Sequence, residues 1–467
     1  MILVYFLTAI ILSGLIYIQK ECKTIHILAT MFMLAQFVFL AYTIINRNTT
    51  DVRFFTYDTL GILFFAVLAL LAASTLYYSI NYLDEETLKQ NSIYFISFIL
   101  LCASITGAYF SNNVTLSWIL IEATTLSAAM LIYHRRTSRS LEAAWKYVLV
   151  CSIGIALAYL GILFLSIMLK GQHELNLSYE NLSLAAQTAN PLHLKIAFLL
   201  ILIGYSAKME VFPLYSIGID ANHAVPTPMS GFFSTALVNL GFISIFRIFK
   251  VLSVSEVAAW SQNVLLISGI ISVLIATIYL LKVKHYKRLF AYSTVENMGI
   301  VLIAMSLGKA GCFIAIFHIL THSFIKSTSY YSLSRIGKIY KGYRMELLGG
   351  YWNVSPLASV ALLLCMVGLI AVPPSALFIS ELMLFKQLLL NNNWIVFIVI
   401  AFLLCFAIYA LLTKIMHICY FSELNAPDKI NRAEQNKIYL QFLIIGIFFF
   451  LGIYQPEFLK SLIAEII

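Results

Sequence analysis

Charge is what this chain has least of. Asp, Glu, Lys and Arg make up only 11% of its residues, 61% are hydrophobic, and the mean hydropathy is +0.91. Soluble domains carry about 25% charged residues, so a water-soluble fold is excluded and a polytopic membrane protein remains. Redox and nucleotide signatures are missing as well. The seven cysteines form no CxxC pair. Cys102, Cys151, Cys312 and Cys365 stand singly in apolar runs, as small buried hydrophobes rather than disulfides, metal ligands or iron–sulfur ligands. No Rossmann glycine pattern, P-loop, haem spacing or nucleophile–base arrangement is present, so no cofactor is expected in this chain. The net charge of +9 comes from Lys and Arg placed mostly in short loops, where they act as topology signals and not as a nucleic-acid surface.

What is there is a series of long apolar runs. A hydrocarbon core of about 30 Å needs about 20 apolar residues per helix. On that scale helices are expected over 2–18, 25–45, 59–81, 92–110, 112–133, 142–169, 193–216, 229–250, 261–281, 290–307, 311–334, 355–390, 394–421 and 436–454. The first run lacks a basic leader region and a cleavage site, so it reads as a membrane helix. The fold expected is an all-α membrane protein of about 14 transmembrane helices. Loops after odd-numbered helices hold most of the basic residues, among them Lys20, Lys89, Arg135, Arg136, Lys284, Arg335, Lys429, Arg432 and Lys437; the even loops hold few, such as Arg47, Arg53 and Lys170. By the positive-inside rule the odd loops are cytoplasmic and both termini face the periplasm of a bacterial inner membrane. The loop after the sixth helix, about 170–191, is polar and has no metal-ligand spacing.

Two helices are interrupted. The seventh reads Gly204 to Pro213 (GYSAKMEVFP) and the twelfth Val372 to Glu381 (VPPSALFISE). Proline removes an amide donor and clashes with the preceding turn, and breaks in matching positions of two halves point to a transport site. The fifth and tenth helices match in the same way, each with one glutamate in a polar turn: Glu122 in WILIEATT and Glu296 in YSTVENMG. Two inverted five-helix repeats are therefore expected, helices 4–8 and 9–13. The domains read 1–91, 92–251 (first repeat), 252–422 (second repeat) and 423–467.

Inside these helices sit Glu122, Lys146, Lys208, Glu296, His318, His322, Lys326 and Glu381. A charge at the bilayer centre costs about 2.5–3.5 kcal/mol on insertion scales, so such residues face a bundle interior or a hydrated path. A buried lysine sheds its proton readily unless a carboxylate is near, so a glutamate that swings toward or away from Lys208 makes a switch. His318, His322 and Lys326 recur every fourth residue and stack into one ridge of about 12 Å. Imidazoles, with an unperturbed pKa of about 6.5, pass protons at little free-energy cost. Bland readings stand beside these. The His pair is able to hold zinc, Lys146 to snorkel to the surface, Glu296 to pair with Lys287, and Lys386 and Lys414 to snorkel or to form an exit.

The motifs resemble the proton-pumping, antiporter-like membrane subunits shared by respiratory complex I, multisubunit cation/proton antiporters and membrane-bound nickel–iron hydrogenases, and most of all the hydrogenase-4 component F branch. The stretches that carry it are Trp118–Leu126 (WILIEATTL), Leu141–Gly154 (LEAAWKYVLVCSIG), Ala207–Phe232 (AKMEVFPLYSIGIDANHAVPTPMSGF), Lys287–Gly299 (KRLFAYSTVENMG), His318–Ser327 (HILTHSFIKS) and Val372–Glu381. The resemblance implies that Glu122 and Lys208 form an ion pair that opens and closes and that Lys146 is the basic residue beside them. It also makes His318, His322 and Lys326 the central relay, with Glu381 as the terminal charge. Two departures matter. Asn239 stands where many complex I relatives have a lysine, so either water bridges there or Lys208 hands over directly toward His318. The chain also ends soon after its fourteenth helix, where some relatives continue into a lateral amphipathic helix, so no partner on such a strut is expected. The function implied is proton translocation in a hydrogenase-4-like or formate-hydrogenlyase-like complex, with iron–sulfur clusters and a nickel–iron centre in partner subunits. The alternatives are a subunit of a Na+/H+ antiporter, of complex I or of an inorganic-carbon uptake system, and a pure scaffold whose charges serve assembly.

Overall fold

A computed structural model of the chain describes residues 1–83, 86–169, 176–421 and 438–467. The expected loop charges Lys170, Lys429, Arg432 and Lys437 lie outside the described residues. The chain forms α1 (Ile2–Ile18), α2 (Cys22–Ile45), a two-stranded hairpin of β1 (Thr50–Asp51) and β2 (Phe55–Thr56), α3 (Thr59–Tyr82), α4 (Leu88–Phe110), α5 (Val114–Ile132) and α6 (Ser138–Ile167). Next come α7 (Tyr179–Ala186), α8 (Pro191–Met209), α9 (Ser216–Ala224), α10 (Thr227–Phe232), a π-turn over Phe233–Leu237, α11 (Val238–Ser253), α12 (Ala258–Lys282) and α13 (Tyr286–Met305). The remainder is α14 (Gly308–Tyr340), α15 (Tyr351–Val354), α16 (Pro356–Leu369), α17 (Ala376–Leu390), α18 (Trp394–Tyr420), α19 (Tyr439–Ile453) and α20 (Glu457–Ile466).

Short polar turns set the helix starts. Asp58 accepts from the Gly61 amide, Asn113 from Thr115 and Leu116, and Ser375 from Phe378, while Thr87–Gln90 and Thr137–Ser140 close reciprocal capping boxes. Among the described residues ten helices are long and apolar enough to cross a membrane, or eleven if α19 and α20, bent by 79° at their junction, count as one span. Only 33% of the most apolar window of α18 is buried, against 100% across α10–α11. The first therefore presents its apolar side chains to lipid and the second lies inside protein.

The chain divides into two compact units. The first is Met1–Met229, Ala236–Val264 and Ile466; the second is Ser230–Thr235, Leu265–Glu465 and Ile467. In the first unit α6 packs along α8, with α5 and α9 against α6 and α11 against α8. In the second, α14 is the hub that α13, α16, α17 and α19 surround. Hydroxyls of α14 turn back on their own helix: Thr321, Ser323 and Ser329 each donate to the carbonyl four residues back.

Three features were not expected from the sequence. The hairpin β1–β2 stands between α2 and α3, α7 occupies part of the polar loop expected over about 170–191, and α20 follows the last apolar helix. The seventh predicted helix, 193–216, is not continuous: α8 ends at Met209 and the chain turns through Glu210 in the left-handed region (φ 58, ψ 41) before α9.

The turn joining α12 to α13 carries a titratable group. Burial, and then the cations of Lys287, Arg288 and Arg344, push the His285 imidazole down to about 4. In an unfolded chain that ring titrates near 6.5. The folded state therefore binds fewer protons in between, and the stability it contributes is present above about pH 6.5 and lost as pH falls through about 4. The melting temperature of the purified protein is expected to drop across that window, and His285→Asn to flatten part of the slope. An identical slope in the variant would show that another group titrates.

Candidate functional site

In the first unit the site grows from the end of α8. Lys208 lies in the last turn of that helix, where the carbonyl ends favour a cation, and it is 3% exposed. Its Nζ donates to Tyr147 Oη on α6 (3.0 Å) and Thr124 Oγ1 on α5 (3.3 Å), and it stands 5.1 Å from the Tyr147 ring centre. A close approach of α11 holds this end of α8 in place: a Cβ on Gly241 would fall 2.4 Å from the Met209 nitrogen and 2.7 Å from the Lys208 carbonyl carbon. Only glycine fits there. Asn239, two residues earlier, is buried at the start of α11.

Glu122 on α5 does not touch the ammonium. Its Oε1 accepts from Ser152 Oγ on α6 (3.0 Å), and its Oε2 has no hydrogen-bond partner among the described residues. The structure thus holds Lys208 and Glu122 apart, each on a neutral hydroxyl. Lys146 is not among these buried groups: its side chain is 54% exposed and pairs with Glu142 one turn away at 2.5 Å. The next residue, Tyr147, is the one that α6 turns inward.

In the second unit His318, His322 and Lys326 line one face of α14, all fully buried. His318 Nδ1 is 2.8 Å from Ser380 Oγ on α17, and Nε2 is 3.1 Å from Asn297 Oδ1 on α13. Asn297 spends its amide on the Ser293 carbonyl (2.7 Å), so its oxygen faces the ring and Nε2 carries a proton. Ser380 has one proton and two outlets, His318 Nδ1 and the Leu377 carbonyl (2.8 Å). When its hydroxyl turns to Nδ1 the imidazole is neutral; when it stays on the carbonyl, Nδ1 is free to carry a second proton. Rotation of one hydroxyl therefore sets whether Nδ1 accepts a hydrogen bond.

Both nitrogens of His322 lack hydrogen-bond partners among the described residues. A buried polar group in that condition is costly. Lys326 Nζ donates to Ser293 Oγ (2.9 Å) and the Phe290 carbonyl (3.2 Å) on α13. Glu296, 4% exposed on the same helix, lies within electrostatic reach of Lys326 and of Glu381 on α17. The charged neighbour of Glu296 is thus Lys326, whereas Lys287 lies 5.6 Å from the Tyr343 ring centre.

Lys414 on α18 has another task. Its Nζ donates to the carbonyls of Leu281 (3.1 Å) and Val283 (2.9 Å) and also to that of Leu280, capping the C-terminal end of α12. Sequence reasoning missed Tyr147, Thr124, Ser152, Asn297 and Ser380, all neutral. The signal for Tyr147 was its spacing with Cys151, Gly154 and Ala158, the face of α6 that is buried. Among the described residues no three His, Cys, Asp or Glu side chains converge on a possible metal position.

Known proteins share this frame. The family described as NADH:quinone oxidoreductase/Mrp antiporter, TM, matches residues 111–408, which contain every charged group of both clusters. The Hydrogenase-4 component F homolog of Methylacidiphilum infernorum (isolate V4) is 29% identical over 439 residues, 92% of this chain and 91% of that protein. The NAD(P)H-quinone oxidoreductase subunit 2 of Synechococcus elongatus is 27% identical over 344 residues, 73% of this chain and 64% of that protein. A chain in the solved structure of the membrane-bound sulfane sulfur reductase, an archaeal respiratory membrane complex, has the same fold, with a TM-score of 0.88 at 20% identity, covering 99% of this chain and 96% of that one. With nearly two thirds of its length matched by the family, this chain belongs to the NADH:quinone oxidoreductase/Mrp antiporter transmembrane family, as an antiporter-like membrane subunit.

Proposed function

We propose that this chain translocates protons as a membrane subunit of a hydrogenase-4-like, formate-hydrogenlyase-like respiratory complex in a bacterial inner membrane. Redox chemistry in partner subunits, which would hold the iron–sulfur clusters and the nickel–iron centre, drives the movement. Protons pass through Glu122, Lys208 and Asn239 in the first unit, and through Glu296, His318, His322, Lys326 and Glu381 in the second. About 14 transmembrane helices carry the path, in two inverted repeats over 92–251 and 252–422. Residues 1–91 and 423–467 flank them, and both termini are periplasmic.

One observation carries the reading: Lys208 is buried on two neutral hydroxyls, and no carboxylate among the described residues lies within ion-pair distance of it. A purely structural lysine in that place would be paired, because an unpaired buried cation is strongly destabilising. A switch, in contrast, requires a state in which the carboxylate has withdrawn. The near full-length relative named as a hydrogenase-4 component F homolog supports the choice of complex.

Sealed vesicles holding the assembled complex provide the test. With the redox reaction started in sodium-free buffer, a lumenal pH dye should report proton movement, and Glu122→Gln should slow it about tenfold without loss of assembly. Movement that requires sodium would turn the reading into that of a cation/proton antiporter. Poorer assembly of the variant, with normal translocation per complex, would make the chain a scaffold.

A further inference from the structure

Glu210 is a buried acid, 4% exposed, that the relay described above does not use. It is the residue at which α8 stops, two positions beyond Lys208, and its backbone adopts φ 58, ψ 41. L-residues with a side chain seldom take that conformation, and glycine is the usual occupant of a helix end of this kind. The carboxylate has a built seat. Oε1 accepts from Asn222 Nδ2 on α9 at 2.8 Å, and the side chain lies over Gly218, where a Cβ would fall 2.4 Å from Glu210 Cγ and Cδ. The Tyr147 phenol that receives the Lys208 ammonium is also within electrostatic reach of both Glu210 and Glu122. A charge in a strained backbone position, seated by an amide and a side-chain-free patch of helix, is an arrangement that stability alone does not favour.

We propose that Glu210 is a second proton-exchanging carboxylate of the first unit, opposite Glu122, so that Lys208 accepts its proton from one acid and delivers it toward the other through the Tyr147 hydroxyl. In the delivering step Tyr147 Oη takes a proton from Nζ while its own hydroxyl proton passes, across intervening water, to the Glu210 carboxylate. Lys208 ends as the neutral amine, Glu210 as the acid and Tyr147 unchanged; one proton moves and no electrons do. The break between α8 and α9 then has a purpose, since it frees a carboxylate from the helix and holds it within electrostatic reach of the Tyr147 phenol. This inference rests on the translocation reading given above.

The experiment compares Glu210→Gln, Glu210→Gly and Lys208→Ala in the assembled complex in vesicles, with translocation rate followed against pH and melting temperature measured in parallel. Glutamine retains the acceptor for Asn222, and glycine relieves the left-handed backbone, so both variants should assemble and the glycine variant should melt at or above the wild-type temperature. Translocation is expected to fall at least tenfold in both, and one limb of the pH profile to disappear. Wild-type rates with an unchanged pH profile in either variant would overturn the proposal, and so would collapse of the glycine variant, which would give Glu210 a structural role. Lys208→Ala separates the two ideas. Translocation that survives it sinks the relay itself, whereas its loss together with normal Glu210 variants sinks only the second carboxylate.

Discussion

Lys208→Ala should abolish proton translocation in the assembled complex, by about 100-fold or more, the lower range for removing a positioned proton-transfer group. The ammonium is the only titratable cation that α8 brings to Tyr147 and Thr124, and a neutral hydroxyl carries no extra proton that could stand in for it. Assembly should survive. The lysine is buried without a carboxylate partner in ion-pair contact, and replacing an imperfectly compensated buried charge by an apolar group is often neutral or stabilising. Lys208→Arg should fail as well, because guanidinium does not give up its proton in proteins and its planar fork does not fit a seat built for one Nζ. Dye-reported proton movement in vesicles, normalised to assembled complex on a native gel, decides the matter. Wild-type rates in the alanine variant would remove Lys208 from the path.

How much of this was legible in the chain follows from the range of the physics involved. Helix positions follow from local hydropathy, so the apolar runs at 2–18, 59–81 and 394–421 reappear as α1, α3 and α18 within a residue or two. The interruptions follow from Pro213 and Pro373–Pro374, which are local too. The α14 ridge needed only the period of the helix. Partnerships were not legible, because they depend on which helices meet. Lys146 and Tyr147 are adjacent in sequence and either could have faced inward; the α6–α8 contact turns Tyr147 in and leaves Lys146 to Glu142. The acids Glu122 and Glu210 look alike in sequence, yet one hangs from a helix face and the other closes a helix. Lys414 resembled a relay cation and is a helix cap, a difference set by the approach of α12. The Glu122–Lys208 ion pair implied by the resemblance is not formed in this structure, where Ser152 holds the acid and Tyr147 the ammonium.

Arg247 should be the costliest single loss of stability in the first unit. It lies on α11, buried to 8% exposure. Its Nη2 lies 3.0 and 2.9 Å from the two Asp58 carboxylate oxygens and also donates to the Tyr109 carbonyl (2.6 Å). Nη1 donates to the Ser111 carbonyl (2.6 Å), and the guanidinium carbon lies 5.2 Å from the Tyr179 ring centre. One side chain thus satisfies the open end of α4, pairs with the N-cap of α3 and rests against α7. Breaking a buried pair costs about 3–5 kcal/mol. Asp58 is 38% exposed and can rehydrate, so Arg247→Ala is expected near the lower end, about 3 kcal/mol. The Lys284–Glu346 pair, 82% and 68% exposed at 3.5 Å, should contribute less than about 1 kcal/mol by comparison. Arg247→Lys should recover little, since one ammonium cannot reach the carboxylate and two carbonyls in their fixed directions. Asp58→Asn, which keeps an acceptor for the Gly61 amide, should cost less than Arg247→Ala. Their double-mutant cycle, read from denaturation in detergent, should return a coupling of at least about 1 kcal/mol. A coupling near zero, or an Arg247→Ala protein that melts with the wild type, would mean that the carbonyls and Asp58 are served equally well by solvent, and the clamp would then be an ornament of the packing rather than its cause.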